Sequence, residues 1–384
     1  MLSVLLSGAI SFLITILAIP AIMRVAAEKK LFDLPDERKV HNRSISSLGG
    51  IGIFIGFILA ALLTAKYKDN LEIQFFFASS IVIFFLGLKD DILILSATKK
   101  FLGQLFAAAI IIHLGHLKLE GMYGLFGLHS LPYGIPTLIT YTTIIVVINA
   151  FNLIDGVDGL AGMLSIITTI IFGSYFVYSE NYAYAFLAFS LTGSLAAFLF
   201  YNFAPARIFM GDSGSLLIGL INAILVIKFI DSASSSVVSF PIQSAVTVGF
   251  SILLIPLLDT LRVFSIRIIK GRSPFAPDRN HIHHLLLDRG MSHKNVTLTL
   301  TGLSISFIVM AWLGKSLGPS FLMFLMVIAF YTLIALIMYL VRPVAPKLVV
   351  AKSFHNPAEP SVIPARKIVN IKNEPSVVEV VAEQ

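Results

Sequence analysis

The chain has no cysteine. Disulfides, thiolate metal sites and a cysteine nucleophile are therefore excluded, while the redox compartment is left open. Charge is also scarce. Asp, Glu, Lys and Arg make up 13% of the 384 residues, against 57% hydrophobic. A soluble domain of this length needs more polar surface, so lipid must cover much of the outside. No soluble domain precedes residue 343, and no internal repeat is visible.

What is present is a series of apolar runs. Eleven segments read as helices, over 2–23, 48–65, 73–89, 101–117, 136–151, 159–178, 183–201, 214–230, 244–262, 297–314 and 319–341. At 1.5 Å per residue each is close to the length that crosses a hydrocarbon core of roughly 30 Å. The expected fold is thus all-α and polytopic, with about eleven transmembrane helices in a domain over 1–342. No positive charge precedes the first segment, whereas Arg24, Lys29 and Lys30 follow it. That pattern fits an uncleaved span with its N-terminus outside. With this orientation the inner side holds 23 of the 28 Lys and Arg and the outer side 5, namely Lys66, Lys68, Lys118, Lys228 and Lys315. Cytoplasmic loops are the ones enriched in Lys and Arg, so the imbalance supports eleven spans. Residues 343–384 carry Pro343, Pro346, Pro357, Pro360, Pro364 and Pro375 among mixed charges without a sustained period, and read as a disordered cytoplasmic tail.

Polar groups are expensive at membrane depth, so their positions are informative. Asp90 and Asp91 end the third segment. Asn149, Asn152, Asp155 and Asp158 lie where the fifth meets the sixth, and Asp212 opens the eighth. Asp259 ends the ninth, and Arg272, His281, His283 and His284 follow in the longest inner connection. All fall on the cytoplasmic side of a topology set by Lys and Arg alone.

Asn149 and Asn152 are three apart and share a helix face. Gly156 and Gly159 let the backbone turn and approach a ligand. Carboxylate and amide oxygens suit Mg²⁺, or accept hydrogen bonds from a nucleobase and ribose. One such Asp alone would read as a helix cap. Two Asn and two Asp in ten residues favour a site. Gly211-Asp212-Ser213-Gly214-Ser215 reads equally as a capped helix start or as a metal-binding carboxylate beside phosphate-seeking N–H groups. The Asp90-Asp91 pair suits a proton acceptor, or a solvated helix end. Three His with Arg272 and Arg279 make donors for phosphate oxygens, with a metal site as the rival use.

Taken in order, Arg38-Lys39-Val40-His41, Gly49-Gly50, Asp90-Asp91, Asn149 to Leu160, Gly211 to Ser215 and His281-Ile282-His283-His284 resemble the polyprenyl-phosphate N-acetylhexosamine-1-phosphate transferases of glycosyltransferase 4 type. The resemblance covers roughly residues 1–341. It implies transfer of a sugar-1-phosphate from a UDP-sugar to undecaprenyl phosphate with release of UMP, initiating a cell-surface polysaccharide. It also implies dependence on Mg²⁺, with Mn²⁺ as a substitute, and a multi-pass place in the bacterial inner membrane with the site facing the cytoplasm. Asp212 would bind the metal, with Asn152 as a second ligand. Asp90 or Asp91 would bind the lipid phosphate or remove its proton. Asn149, Asp155 and Asp158 would serve the nucleotide sugar, and Arg272 with His281, His283 and His284 would hold the diphosphate.

Ile282 interrupts the His run, and Asp278-Arg279 precedes it. Both features are similar to the branch that uses UDP-GlcNAc rather than to the phospho-MurNAc-pentapeptide translocases, which carry three consecutive His. The translocase is the alternative within the family, and a secondary transporter the alternative outside it. Transporters place polar groups near the midplane, whereas here they line one face. No nucleic-acid partner is expected, and a homodimer is compatible with the sequence.

Overall fold

The computed structural model describes residues 1–31, 45–64, 70–93, 95–235, 239–271 and 280–341, with the backbone of 349–350 and 368–369. Arg38 to His41, Arg272 and nearly all of 343–384 lie outside the described residues. The two short stretches pair as antiparallel strands, Val349–Val350 with Ile368–Val369.

Thirteen α-helices are found among the described residues: α1 (Leu2–Glu28), α2 (Gly49–Thr64), α3 (Glu72–Leu93), α4 (Ala97–Ala109, continued by a π turn over Ile110–Leu114), α5 (Ile135–Ile154), α6 (Leu160–Tyr178), α7 (Tyr182–Asn202), α8 (Gly211–Ser234), α9 (Ala245–Ile252), α10 (Leu254–Ile269), α11 (Ile282–Asp288), α12 (His293–Leu313) and α13 (Pro319–Leu340). Every expected apolar segment is helical, so the chain is an all-α polytopic membrane protein. Among the described residues eight helices are long and apolar enough to cross a membrane: α1, α4 with its π turn, α5, α6, α7, α8, α12 and α13. Helix α2 is equally apolar but has 16 residues. The segment expected as one helix over 244–262 is two, broken at Leu253. Pro256 has no N–H to return to Ile252, which interrupts the helical ladder there.

Helix α8 is the axis of the bundle. Its most apolar stretch is 94% buried in protein, whereas that of α13 is 22% buried. A helix that is apolar all round belongs at such a centre. Helices α3, α5, α2, α6 and α9 pack around it, and α1 and α7 form an outer layer with α2 and α6. Polar contacts recur within this core. Asn222 of α8 donates to the Ser165 hydroxyl of α6 at 2.9 Å, satisfying groups that lipid could not.

Candidate active site

Helix α8 begins where three backbones nearly touch. Gly211 adopts φ +72°, and a Cβ there would lie 2.1 Å from the Ser47 carbonyl oxygen. A Cβ at Gly50 would lie 2.2 Å from the Gly214 nitrogen, and one at Gly87 would lie 2.4 Å from the Asp212 carbonyl oxygen. Only glycine lets α2, α3 and α8 close this far. The start of α2 is tied in by its Gly49 and Gly50 N–H groups, which donate to the Phe209 and Met210 carbonyls at 2.9 and 2.8 Å, and the segment before it by the Ser46 carbonyl, which accepts from the Phe209 N–H at 2.8 Å. The Gly-Gly and Gly-Asp-Ser-Gly motifs are therefore two halves of one packing joint.

This joint presents Asp212. Asp91 accepts from the Asp212 and Ser213 N–H groups at 2.7 and 3.0 Å, so both its oxygens cap the start of α8. Asp212 in turn accepts from the Lys100 ammonium at 2.6 Å and from the Asn152 amide at 2.8 Å. Asn152 also donates to the Ser215 hydroxyl at 2.9 Å. Lys100 makes a second short ion pair with Asp90, which is buried and also accepts from the Leu95 N–H. One ammonium thus bridges two carboxylates. A lysine in the first turn of a helix opposes the helix dipole, so its place in α4 is explained by these acids. One turn further on, Gln104 of α4 accepts from Asn149 at 2.9 Å.

The loop between α5 and α6 divides its two carboxylates. Asp155 is half-buried and has no hydrogen-bond partner among the described residues. Burial, then the carboxylates of Asp212, Asp91 and Asp158, push its carboxyl well above the ordinary carboxylate range. Asp158 is buried and engaged inside the protein. It accepts from the Ala206 N–H at 3.0 Å and faces His293 Nδ1 at 3.2 Å. Asn202 completes this anchor by accepting from the Gly159 N–H at 2.9 Å.

The His motif docks onto the same loop. His283 is fully buried, and its Nε2 stands 2.7 Å from where a Cβ on Gly156 would be. Neither ring nitrogen has a hydrogen-bond partner among the described residues. Burial, then the adjacent His284, hold its pKa down to about 3, so the ring is neutral. His281 Nδ1 lies 3.0 Å from Asp259, which also accepts from Arg262 at 3.0 Å and from the Ile282 N–H. Its Nε2 is buried without a partner among the described residues. His284 packs on His283 with ring centroids 4.3 Å apart. These orphan ring nitrogens stand beside the Asn–Asp loop, where a ligand or water would satisfy them.

Asp90, Asp91, Asn149, Asn152, Asp155 and Asp212 thus come together around the start of α8, with His281, His283 and His284 adjoining through Gly156. Lys100, Gln104 and Asp259 join them. In the sequence Lys100 is only one of the 23 inner-side Lys and Arg, although two adjacent carboxylates next to a membrane call for a cation.

The donors here are hard oxygens. Mg²⁺ is usually held by one or two carboxylates plus water and substrate phosphates. Asp212 and Asp90, which already converge on one cation, fit that need, with the Asn152 amide beside them. Among the described residues no three His, Asp or Glu form a ready-made cage.

The model of glycosyl transferase family 4 matches residues 73–230, the stretch from α3 to the end of α8 that carries the joint. A Bacillus subtilis protein described as a probable undecaprenyl-phosphate N-acetylglucosaminyl 1-phosphate transferase is 32% identical over 82% of this chain and 86% of its own length. The decaprenyl-phosphate N-acetylglucosaminephosphotransferase of Mycobacterium leprae is 32% identical over 77% of this chain and 79% of its own. An undecaprenyl-phosphate alpha-N-acetylglucosaminyl 1-phosphate transferase of Pasteurella multocida is 33% identical over 77% and 82%. With the motifs assembled at one end of α8 and relatives alike over most of their length, the chain belongs to the polyprenyl-phosphate N-acetylhexosamine-1-phosphate transferases of glycosyl transferase family 4.

Proposed function

We propose that the chain transfers GlcNAc-1-phosphate from UDP-GlcNAc to undecaprenyl phosphate at the cytoplasmic face of a bacterial inner membrane. An oxygen of the lipid phosphate attacks the β-phosphorus of the donor. The bond from that phosphorus to the bridging oxygen breaks, UMP leaves with the oxygen, and the lipid carries a diphosphate-linked sugar. The single observation that carries this reading is the convergence of Asp90, Asp212, Asn152 and Lys100 at the mouth of the glycine joint. The reaction brings several anions together, so fixed cations and a metal are needed to make the approach tolerable.

A bound Mg²⁺, or Mn²⁺ in its place, would neutralise phosphate charge, held by Asp212 with Asn152 or Asp90. Lys100 then serves two states. It offsets the repulsion between Asp90 and Asp212 before the substrates arrive and can turn to a phosphate oxygen afterwards. Asp155, which has no hydrogen-bond partner among the described residues, is the acid of its loop free to meet a polar group of the donor. Asp91 and Asp158 hold the backbone that carries the others. The orphan nitrogens of His281 and His283, where protonated, and Arg272 supply donors to the diphosphate oxygens. The relatives' names speak for N-acetylglucosamine and polyprenyl phosphate, and neither the pentapeptide translocase nor a transporter gains support from them. Purified protein given Mg²⁺, undecaprenyl phosphate and a panel of UDP-sugars should release UMP most rapidly with UDP-GlcNAc. No UMP from any donor would end the proposal.

A further inference from the structure

The far end of α8 carries charge that the transfer reaction does not use. Asp231 lies nineteen residues after Asp212 on the same helix. At 1.5 Å per residue the two are about 28 Å apart, close to the thickness of a hydrocarbon core. Asp231 therefore marks the opposite membrane face. A cavity of about 670 Å³ opens there, lined by Glu72 from the start of α3, Tyr184 from the start of α7, and Lys228 and Asp231 from α8.

Three acids line the cavity, together with His113 and His116. Glu120 lies 3.9 Å from the Lys118 ammonium, whereas Glu72 and Asp231 each have one oxygen engaged by a tyrosine. The Tyr184 hydroxyl, on a fully buried ring, donates to Glu72 Oε1 at 3.4 Å. The Tyr123 hydroxyl donates to Asp231 Oδ1 at 3.2 Å. The second oxygen of Glu72 and that of Asp231 have no hydrogen-bond partner among the described residues. Lys228 is three residues before Asp231 and so shares its helix face. Its ammonium nevertheless pairs with neither Glu72 nor Asp231, and stands 5.2 Å above the Tyr184 ring. Opposite charges at the edge of lipid close on each other unless something between them satisfies both. This cavity holds them apart. What fits is a group with an anionic acceptor for Lys228 and N–H donors for Glu72 and Asp231. The mouth indicates where such a group comes from. Leu71 and Leu114 line it and are 68% and 51% exposed, which is apolar surface facing the bilayer rather than water.

The geometry points to a second binding site, on the face opposite the active site, for a phospholipid headgroup that carries both a phosphate and a primary amine. The phosphate meets Lys228, the amine lies between Glu72 and Asp231, and the acyl chains leave past Leu71 and Leu114. A quaternary amine cannot donate to the acids, and a headgroup without an amine leaves them unmatched.

The test is native mass spectrometry of the full-length protein titrated in detergent with phosphatidylethanolamine, phosphatidylcholine, phosphatidylglycerol and soluble O-phosphoethanolamine. One phosphatidylethanolamine should be retained about tenfold more tightly than either other lipid, the scale of one charged hydrogen bond. Soluble phosphoethanolamine should bind about 100-fold more weakly than the lipid, having no chains to bury. Asp231→Asn and Lys228→Gln should each weaken phosphatidylethanolamine about tenfold and leave UMP release within about twofold. If Asp231→Asn fails to assemble, Glu72→Gln, which preserves the acceptor for Tyr184, should give the same loss. Equal retention of the three lipids, or variants that bind phosphatidylethanolamine as the wild type does, would overturn the site. Soluble phosphoethanolamine binding as tightly as the lipid would overturn the lipid as its occupant.

Discussion

Asp212 and Asp231 stand near the two ends of one helix, and their surroundings differ in kind. Around Asp212 the backbones of α2, α3 and α8 meet through Gly50, Gly87 and Gly211, and Lys100 closes onto two carboxylates. Around Asp231 a cavity opens, Lys228 stays apart from Glu72 and Asp231, and tyrosines supply the hydrogen bonds. Fixed, over-determined geometry is what phosphoryl transfer demands, because catalysis there is mostly positioning and charge. A loose cavity with separated charges suits reversible binding. Burial alone would not distinguish them, since both lie on the most enclosed helix of the bundle.

Substitution of the two aspartates should separate the ends most sharply. Asp212→Asn should lower UMP release by about 10³-fold while the protein stays folded, since one misplaced electrostatic group costs 10²–10³. Asp231→Asn should stay within twofold. Similar losses at both would break the comparison. Next in size, Lys100→Met should lower turnover by about 10²-fold, leaving Asp90 and Asp212 to repel each other beside the phosphates. Retention of more than a tenth of the activity would remove Lys100 from the site.

Stability should follow the same contrast. Gly211→Ala places a Cβ against Ser47 at positive φ and should destabilise by about 1–3 kcal/mol or more. Gly318 at the start of α13 also has positive φ, +86°, but nothing lies within 4 Å of a Cβ there. Gly318→Ala should therefore lower the melting temperature less. The smallest effect concerns pH. His283 is neutral in the fold, with a pKa of about 3, against about 6.5 in an unfolded chain. Below about pH 6.5 the unfolded state binds a proton the folded state refuses, so stability falls as pH falls, by up to about 1.4 kcal/mol per unit. His283→Gln should show a shallower drop in melting temperature between pH 7.5 and 5.5. Parallel slopes would mean that the ring is not held neutral.

Much of this was legible in the sequence, for physical reasons. Lipid makes helices readable from apolar length, and the expense of polar groups near it made the Asn149–Asp158 and Gly211–Ser215 blocks conspicuous. The packing joint was not legible, since Gly49-Gly50 and Gly211 to Ser215 stood out only as motifs and which backbones meet depends on how α2, α3 and α8 pack. The break at Leu253 went unread, although Pro256 signals it. Lys100 and Lys228 were both counted only as loop charges for topology. A positive-inside count records which side a lysine is on, whereas its partners depend on how helices distant in sequence pack. Asp91 looked like Asp90 and Asp158 like Asp155, and only the fold shows that Asp91 and Asp158 are engaged by backbone and by His293.

The account rests on the β-phosphorus being attacked at the Asp212 end of α8, and following that phosphorus tests it directly. Purified protein is given Mg²⁺, undecaprenyl phosphate and UDP-GlcNAc labelled in the β-phosphate, and the label is followed between aqueous and lipid phases. The account requires label in the lipid phase in step with UMP in water, and label that stays in the nucleotide sugar with Asp212→Asn. Release of labelled UDP would mean that sugar alone is transferred. That result, or undiminished lipid labelling by Asp212→Asn, would contradict the proposed chemistry.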